Sequence, residues 1–442
     1  MRSLFVQALA VLSAIASRST VLVILFVAAR RLPAEQFSAL ALTLSIASLV
    51  VAVVSGGGDL WLNRFAGVLR RSAVRAAELR GAYIVLSLAL AGGAAVLIAA
   101  ATLSGLMPAY LAIALAIGLF GAVLAGFCET LLAVLRAEGR LVPFYLVRDV
   151  GTSVAFLALV LMFGAATAAS FLWLYFAVWA VALASVWIMV QRSRITRFSS
   201  DSAFRWPYAK LGRHTAVLLY GNLSSRLAMT IDVVLLSFLF DFARVGDYRL
   251  AAQIAVGFMV IQHFAFLTLP WQLRLSSRDT TDQYPQRIIR NVHLRLIGVS
   301  AVALGALLYL APALLGLFNQ RFVQMTPVFS VLLCLRFTNL LWGPQHETMV
   351  SRGLATADGH GNVVNLAVYL AAFVLLLAVT PVLFAAVAAH VAADLAGHLF
   401  RYRILARAGV APVIGGGALP TIPMLGYALV AGYTIMEFHR LV

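Results

Sequence analysis

Four arginines stand inside long apolar runs: Arg18, Arg148, Arg226 and Arg336. A charge at the centre of a membrane helix costs about 2.5–3.5 kcal/mol on the insertion scale, so each needs a watery or protein-lined surrounding. Arg18, Arg226 and Arg336 lie ten or more residues from either end of their runs. At 1.5 Å per residue that is roughly 15 Å of depth, beyond the reach of a snorkelling side chain. Guanidinium groups lining a shared cavity suit a phosphate-bearing ligand, because the planar fork grips two phosphate oxygens at once. Arg148 is nearer the end of its run and can snorkel. The competing expectation is that each arginine neutralises a buried acid, with Asp59, Glu129, Asp149 and Asp232 as candidates. Arg226 and Asp232 are six positions apart, about 120° around a helix, so they do not pair along it.

A second set of titratable residues lies late in the chain. His390, Asp394 and His398 recur at every fourth position and share one helix face. Such a stripe is either a proton or cation relay or, more plainly, a polar seam between helices. The three span two turns, too far to hold one metal ion. Asp232 joins them as a residue for ion coupling or for pairing across helices. Glu129 and Glu347 are expected at the cytoplasmic mouth, where they latch it or cap helices. The sequence has no HExxH, GxSxG or Walker loop. No metal or cofactor is expected beyond coupling to a proton or sodium gradient or to the membrane potential.

The elements that must position these residues follow from composition. The 442 residues are 63% hydrophobic and 11% charged, with a mean hydropathy of +0.97. A soluble domain would carry about a quarter charged residues. The apolar runs are about 20 residues long, the length of membrane helices rather than barrel strands. The expected fold is all-α and polytopic, with two pseudo-symmetric six-helix lobes around a central cavity. Twelve spans fall at 6–29, 37–61, 81–104, 108–134, 141–164, 167–190, 214–238, 246–271, 292–317, 326–346, 361–379 and 381–400. A shorter thirteenth run at 421–437 is either a peripheral helix or a span. Residues 1–191 then form an N-lobe, 192–213 a basic linker, 214–409 a C-lobe and 410–442 a C-terminal segment. Cys128 and Cys334 sit in apolar runs, as core residues do.

The net charge of +17 is spread over alternating loops rather than gathered on one face, which excludes a nucleic-acid surface. With a cytoplasmic N-terminus, inside segments hold 23 Lys or Arg and outside loops 5. The positive-inside rule selects that orientation. The linker QRSRITRFSSDSAFRWPYAKLGR is basic with aromatics between, so it either lies along anionic lipid head groups or is a solvated connection.

The halves echo each other. ETLLAVLRAEGR at 129–140 matches ETMVSRGLATADGH at 347–360, and RRLPAEQFSALALTLSI matches DFARVGDYRLAAQIAV. The two offsets are close to half the chain. Six spans per copy keep the copies in one orientation, so the substrate path is expected at the lobe interface.

Residues 232–255, DVVLLSFLFDFARVGDYRLAAQIA, resemble the start of the second half in polysaccharide-export flippases. AARRLPAEQFSALALTLSIASLV, GGGDLWLNRFAG and LRAEGRLVPFYLVRDV are similar to the first half of the same family. Relatives in that superfamily include lipid-linked oligosaccharide and peptidoglycan-precursor flippases and multidrug exporters. The resemblance implies alternating access in a bacterial cytoplasmic membrane. A polyprenyl-diphosphate-linked oligosaccharide would cross to the outer leaflet for exopolysaccharide, capsule or O-antigen synthesis, alongside polymerase and export machinery. Arg18 and Arg226 would contact the diphosphate, with Arg336 a further candidate. The chain departs from the family in having a single lysine, Lys210.

Three alternatives stand beside this. A multidrug or small-molecule exporter of the same fold would be expected to have an acid-rich cavity poor in arginine. A major-facilitator transporter would need a tighter spacing than Asp59, Arg64, Gly67, Arg70 and Arg71 provide. A glycan polymerase or ligase enzyme would need a large outside loop with catalytic residues, and no expected outside loop exceeds about ten residues.

Overall fold

The computed structural model describes residues 2–55, 109–137, 140–191, 208–267, 283–343, 345–351, 354–409 and 421–441, with isolated positions between 89 and 100. Every regular element among them is helical. In chain order these are α1 (Arg2–Arg31), α2 (Ala34–Ser55), α3 (Ala109–Ala137), α4 (Leu141–Tyr145), a π-helical turn (Leu146–Gly151), α5 (Thr152–Phe163) and α6 (Ala168–Gln191). Then follow α7 (Tyr208–Leu239), α8 (Phe242–Leu267), α9 (Gln283–Phe318), a 3-10 turn (Gln320–Met325), α10 (Thr326–Leu341), α11 (Gln345–Ser351), α12 (Ala355–Leu377), α13 (Val382–Arg407) and α14 (Thr421–Leu441). Among the described residues, nine helical stretches are long and apolar enough to cross a membrane. This is the expected all-α, multi-pass class. Most of the expected third span, Asp59, and linker residues 192–207 lie outside the described residues.

Two compact units divide the chain, Met1–Thr230 and Ile231–Val442, and the division falls within α7. In the first, α3 lies between α2 and α6, and α1 rests on α5. Gly118, Ala122 and Gly126 recur at every fourth position, a spacing that reads as a close-packing seam, and this is where α3 meets α2: Gly118 faces Thr43, and Gly126 faces Val54. In the second, α13 packs along α12, and α10 is surrounded by α8, α9, α13 and α14.

Two expectations change. The polar stretch ARVGDY reads as a corner between the spans expected at 214–238 and 246–271, but it is helical, because α8 already begins at Phe242. Asp241 Oδ1 accepts the Ala243 N–H at 3.1 Å and caps the helix, which confines the turn to Phe240 and Asp241. The tenth span ends at Leu341 rather than 346. Gly343 takes a φ of 75° and its N–H returns to Leu340 O at 3.0 Å, a glycine stop at a helix C-terminus.

The thirteenth run is a helix of 21 residues, about 31 Å at 1.5 Å per residue and so long enough to span. It packs on α10 and α13. Tyr427, Val430 and Thr434 are buried, while Leu425, Leu429 and Met436 on its other face are exposed.

Candidate functional site

The second unit gathers its polar residues along one face of α13. Asp394 is the centre. Asn339 Nδ2 on α10 donates to Oδ2 at 2.8 Å, Asn365 Nδ2 on α12 donates to Oδ1 at 2.8 Å, and Arg336 Nη1 lies 3.4 Å from Oδ2. Both carboxylate oxygens are thus held, as a charge in an apolar helix requires. Tyr427 on α14 donates its hydroxyl to Asn339 Oδ1.

One turn earlier on α13, His390 Nε2 lies 3.2 Å from Asp232 Oδ2, and Tyr248 on α8 donates to the same oxygen at 2.7 Å. Asp232 and His390 are both buried. Tyr369 on α12 stands over the His390 ring with centroids 4.6 Å apart, and its buried hydroxyl has no protein partner among the described residues.

One turn later, His398 shares a 2.8 Å hydrogen bond with Gln345 Oε1 and stacks on Trp342 at 5.5 Å. Gln345 Nε2 also donates to His398 O at 3.3 Å. Then Arg401 Nε donates to Asp358 Oδ1 at 2.7 Å, and His346 Nδ1 lies 2.7 Å from the other Asp358 oxygen. From His390 to Arg401 the row covers about 16 Å of α13.

The first unit holds a separate pair. Arg148, in the π-helical turn, donates from Nε to Glu129 Oε1 at 3.1 Å. Its guanidinium lies 5.4 Å from the Phe144 ring centroid, and Arg136 lies over the same ring at 5.3 Å. Arg140 Nη1 ties the α3–α4 turn to Met189 O at 3.1 Å.

The expected stripe of His390, Asp394 and His398 therefore lies on one face and meets Asp232 and Arg336 within one unit. Arg148 and Arg336 each lie against a carboxylate, the charge-neutralising arrangement weighed against anion binding. Arg226 is exposed on α7, and its carbonyl accepts from Thr230 Oγ1 at 2.8 Å. Arg18 belongs to α1 and Glu347 to α11, but their side chains lie outside the described residues.

Sequence reasoning did not single out Tyr248, Asn339, Asn365 or Tyr427, nor the Asp358–Arg401–His346 group. Amides inside apolar runs were the available signal, since an unpartnered amide in hydrocarbon is costly.

No protein-family model matches the chain, and no curated protein is similar to it. Solved structures are similar. A multidrug resistance MATE family transporter of the MOP superfamily, in its inward-facing conformation, aligns with a TM-score of 0.66 at 16% identity, covering 91% of this chain and 95% of that one. The fold is that of the MATE transporters. The MATE multidrug transporter DinF-BH aligns at 0.64 with 17% identity, over 92% of this chain and 94% of its own. A MOP superfamily transporter from Pyrococcus furiosus, whose binding pocket of reverse polarity suggests a different function for it, aligns at 0.63 with 14% identity, over 91% and 96%. All three are transporters, not enzymes.

Proposed function

We propose that the chain exports small organic solutes across the membrane by alternating access, driven by a cation gradient. The MATE-type fold supports the transport reading, since its similar structures include multidrug transporters. The observation that carries the coupling is the Asp394 carboxylate, held by Asn339, Asn365 and Arg336, with the buried Asp232–His390 pair one helical turn away along α13. A carboxylate at membrane depth costs several kcal/mol unless paired or protonated. Changing its protonation or binding a cation there alters which helix contacts are favourable, which is what coupling requires. The row of partners along α13 provides polar groups at successive turns toward the end that the loop charges assign to the cytoplasm.

Proteoliposome efflux of the cationic dye ethidium, with and without an imposed proton or sodium gradient, tests this. The wild-type chain is expected to respond to one gradient and Asp394→Asn to neither. An Asp394→Asn variant that keeps the full gradient response sinks the coupling reading.

The second reading, translocation of a polyprenyl-diphosphate-linked glycan in a bacterial inner membrane, rests on the exposed Arg226 at membrane depth on α7. An exposed guanidinium there suits a diphosphate. Complementation of a flippase-null strain discriminates: restored glycan export that is lost in Arg226→Ala supports it, and no complementation by the wild-type chain removes it.

A further inference from the structure

The C-terminal helix α14 has no assigned part in transport, yet it delivers one polar group into the Asp394 cluster. Its approach is specific. Gly426 lies so near α10 that a Cβ there would stand 3.0 Å from Thr338 Cγ2 and 3.2 Å from Leu341 Cδ1. That closeness brings the neighbouring Tyr427 to Asn339, where its ring is buried beside Trp342 with centroids 6.5 Å apart.

The hydrogen-bond chemistry there is directional. Asp394 offers only acceptors when ionised, so Asn339 must present its Nδ2 to it, at 2.8 Å. The amide oxygen then faces away and can be satisfied only by a donor, which is the Tyr427 hydroxyl. Without that donor only the carboxylate's charge holds the amide in place, and once Asp394 is protonated a flipped amide can accept from its O–H, which favours the protonated form.

We propose that Tyr427 is a positioning residue for the coupling carboxylate: by fixing the Asn339 amide it sets how readily Asp394 is protonated, making α14 part of the coupling machinery. This rests on the coupling reading of Asp394 given above. The charged and titratable groups around that carboxylate are Arg336 on α10 and His390, His398 and Arg401 on α13. Asp358 and Tyr369 on α12 and His346 on α11 lie further along the same face, and α14 contributes Tyr427, with Tyr433 and Glu437 beyond it. Among them Tyr427 alone acts on Asp394 through the amide.

The test is the pH profile of gradient-driven ethidium efflux by the full chain in proteoliposomes, for wild type, Tyr427→Phe, Asn339→Ala, their double variant and Asp394→Asn. Tyr427→Phe keeps the buried ring and removes one oxygen, so the variant is expected to fold in good yield, with its thermal midpoint lowered only by the loss of one buried hydrogen bond. Its half-maximal pH is expected to move upward by about half a unit to one unit, the size of one hydrogen bond expressed as a titration shift. The double variant should match Asn339→Ala alone, since Tyr427 acts only through that amide. Gly426→Val, which lifts α14 from α10, should move the profile in the same direction by a route that leaves the tyrosine in place.

A wild-type pH profile in Tyr427→Phe, with Asp394→Asn uncoupled, overturns the positioning role and leaves the coupling reading standing. An additive double variant overturns it as well. An Asp394→Asn variant that responds to the gradient as wild type does overturns the coupling reading and the role of Tyr427 with it.

Discussion

Tyr248 donates its hydroxyl to Asp232 Oδ2 at 2.7 Å, joining α8 to α7 inside the second unit. Both residues are buried, so the bond has no competition from water. Tyr248→Phe removes the donor and leaves His390 as the remaining side-chain partner of that oxygen. The expected loss is about 1.5–3 kcal/mol, the range for a hydrogen bond to a charged group, and nearer the lower end if the unfolded helices find partners in the membrane. Asp232→Ala should cost more, because it strands both Tyr248 and His390. Thermal unfolding in detergent, read by the temperature at which the monodisperse peak is lost, ranks the two. A Tyr248→Phe midpoint below that of Asp232→Ala contradicts the assignment.

The Arg148–Glu129 pair should behave differently. Its side chains are 34% and 21% exposed, so water screens much of the attraction. A double-mutant cycle with Arg148→Ala and Glu129→Ala is expected to give a coupling of about 0.5–1 kcal/mol, not the roughly 3–5 kcal/mol of a fully buried pair. Arg148→Lys is not conservative here, because it loses the Nε–H that donates to Glu129 and the broad guanidinium that lies over Phe144. It should destabilise nearly as much as alanine.

How much of this was legible in the sequence depends on the range of the interaction. The His390–Asp394–His398 stripe could be read because helical spacing alone puts those residues on one face. The seam of Gly118, Ala122 and Gly126 was readable for the same reason. Their partners were not. Arg336 meets Asp394 at a separation of 58 residues and Asp232 meets His390 at 158, pairings that only helix packing can choose. The ARVGDY stretch reads as a corner because its glycine and acid look like a turn, whereas Asp241 caps a helix that starts just after it. Sequence reasoning weighed charges and passed over neutral amides, so it could not see that Asn339 and Asn365 both donate to Asp394.

Arg401 and Asp358 are 12% and 6% exposed, and Arg401 also donates to Asn362. Arg401→Ala leaves the Asp358 carboxylate with His346 as its remaining ionic partner, and the expected cost is about 3–5 kcal/mol. A gentler probe is Gly361, where a Cβ would stand 3.1 Å from both Cγ and Nε of Arg401. The arginine is clamped at its far end and cannot swing aside freely, so Gly361→Ala is expected to cost about 1–3 kcal/mol. In the Arg401→Ala background the same glycine substitution should cost little. Equal costs in both backgrounds would mean that the arginine is not what Gly361 accommodates.

The seam between α2 and α3 allows a selective rescue. A Cβ on Gly118 would stand 2.2 Å from Thr43 Cγ2 and 3.0 Å from Leu172 Cδ2, the movable tip of a leucine on α6, while one on Gly126 would stand 2.6 Å from Val54 Cβ and 2.7 Å from Val54 Cγ1. Both glycines are required by close approach, and each alanine variant is expected to lose about 1–3 kcal/mol by overpacking. Thr43 and Val54 are β-branched and stiff at χ1, so neither can rotate out of the way cheaply. Thr43→Ser deletes the offending Cγ2 and keeps the hydroxyl, so Gly118→Ala with Thr43→Ser should recover most of the lost thermal midpoint. Val54→Ala deletes Cγ1 but keeps the Cβ that makes the shorter contact, so it should rescue Gly126→Ala far less. Equal recovery at both positions, or none at Gly118, would show that a general loosening of α2 against α3, and not these atom pairs, sets the spacing of the seam.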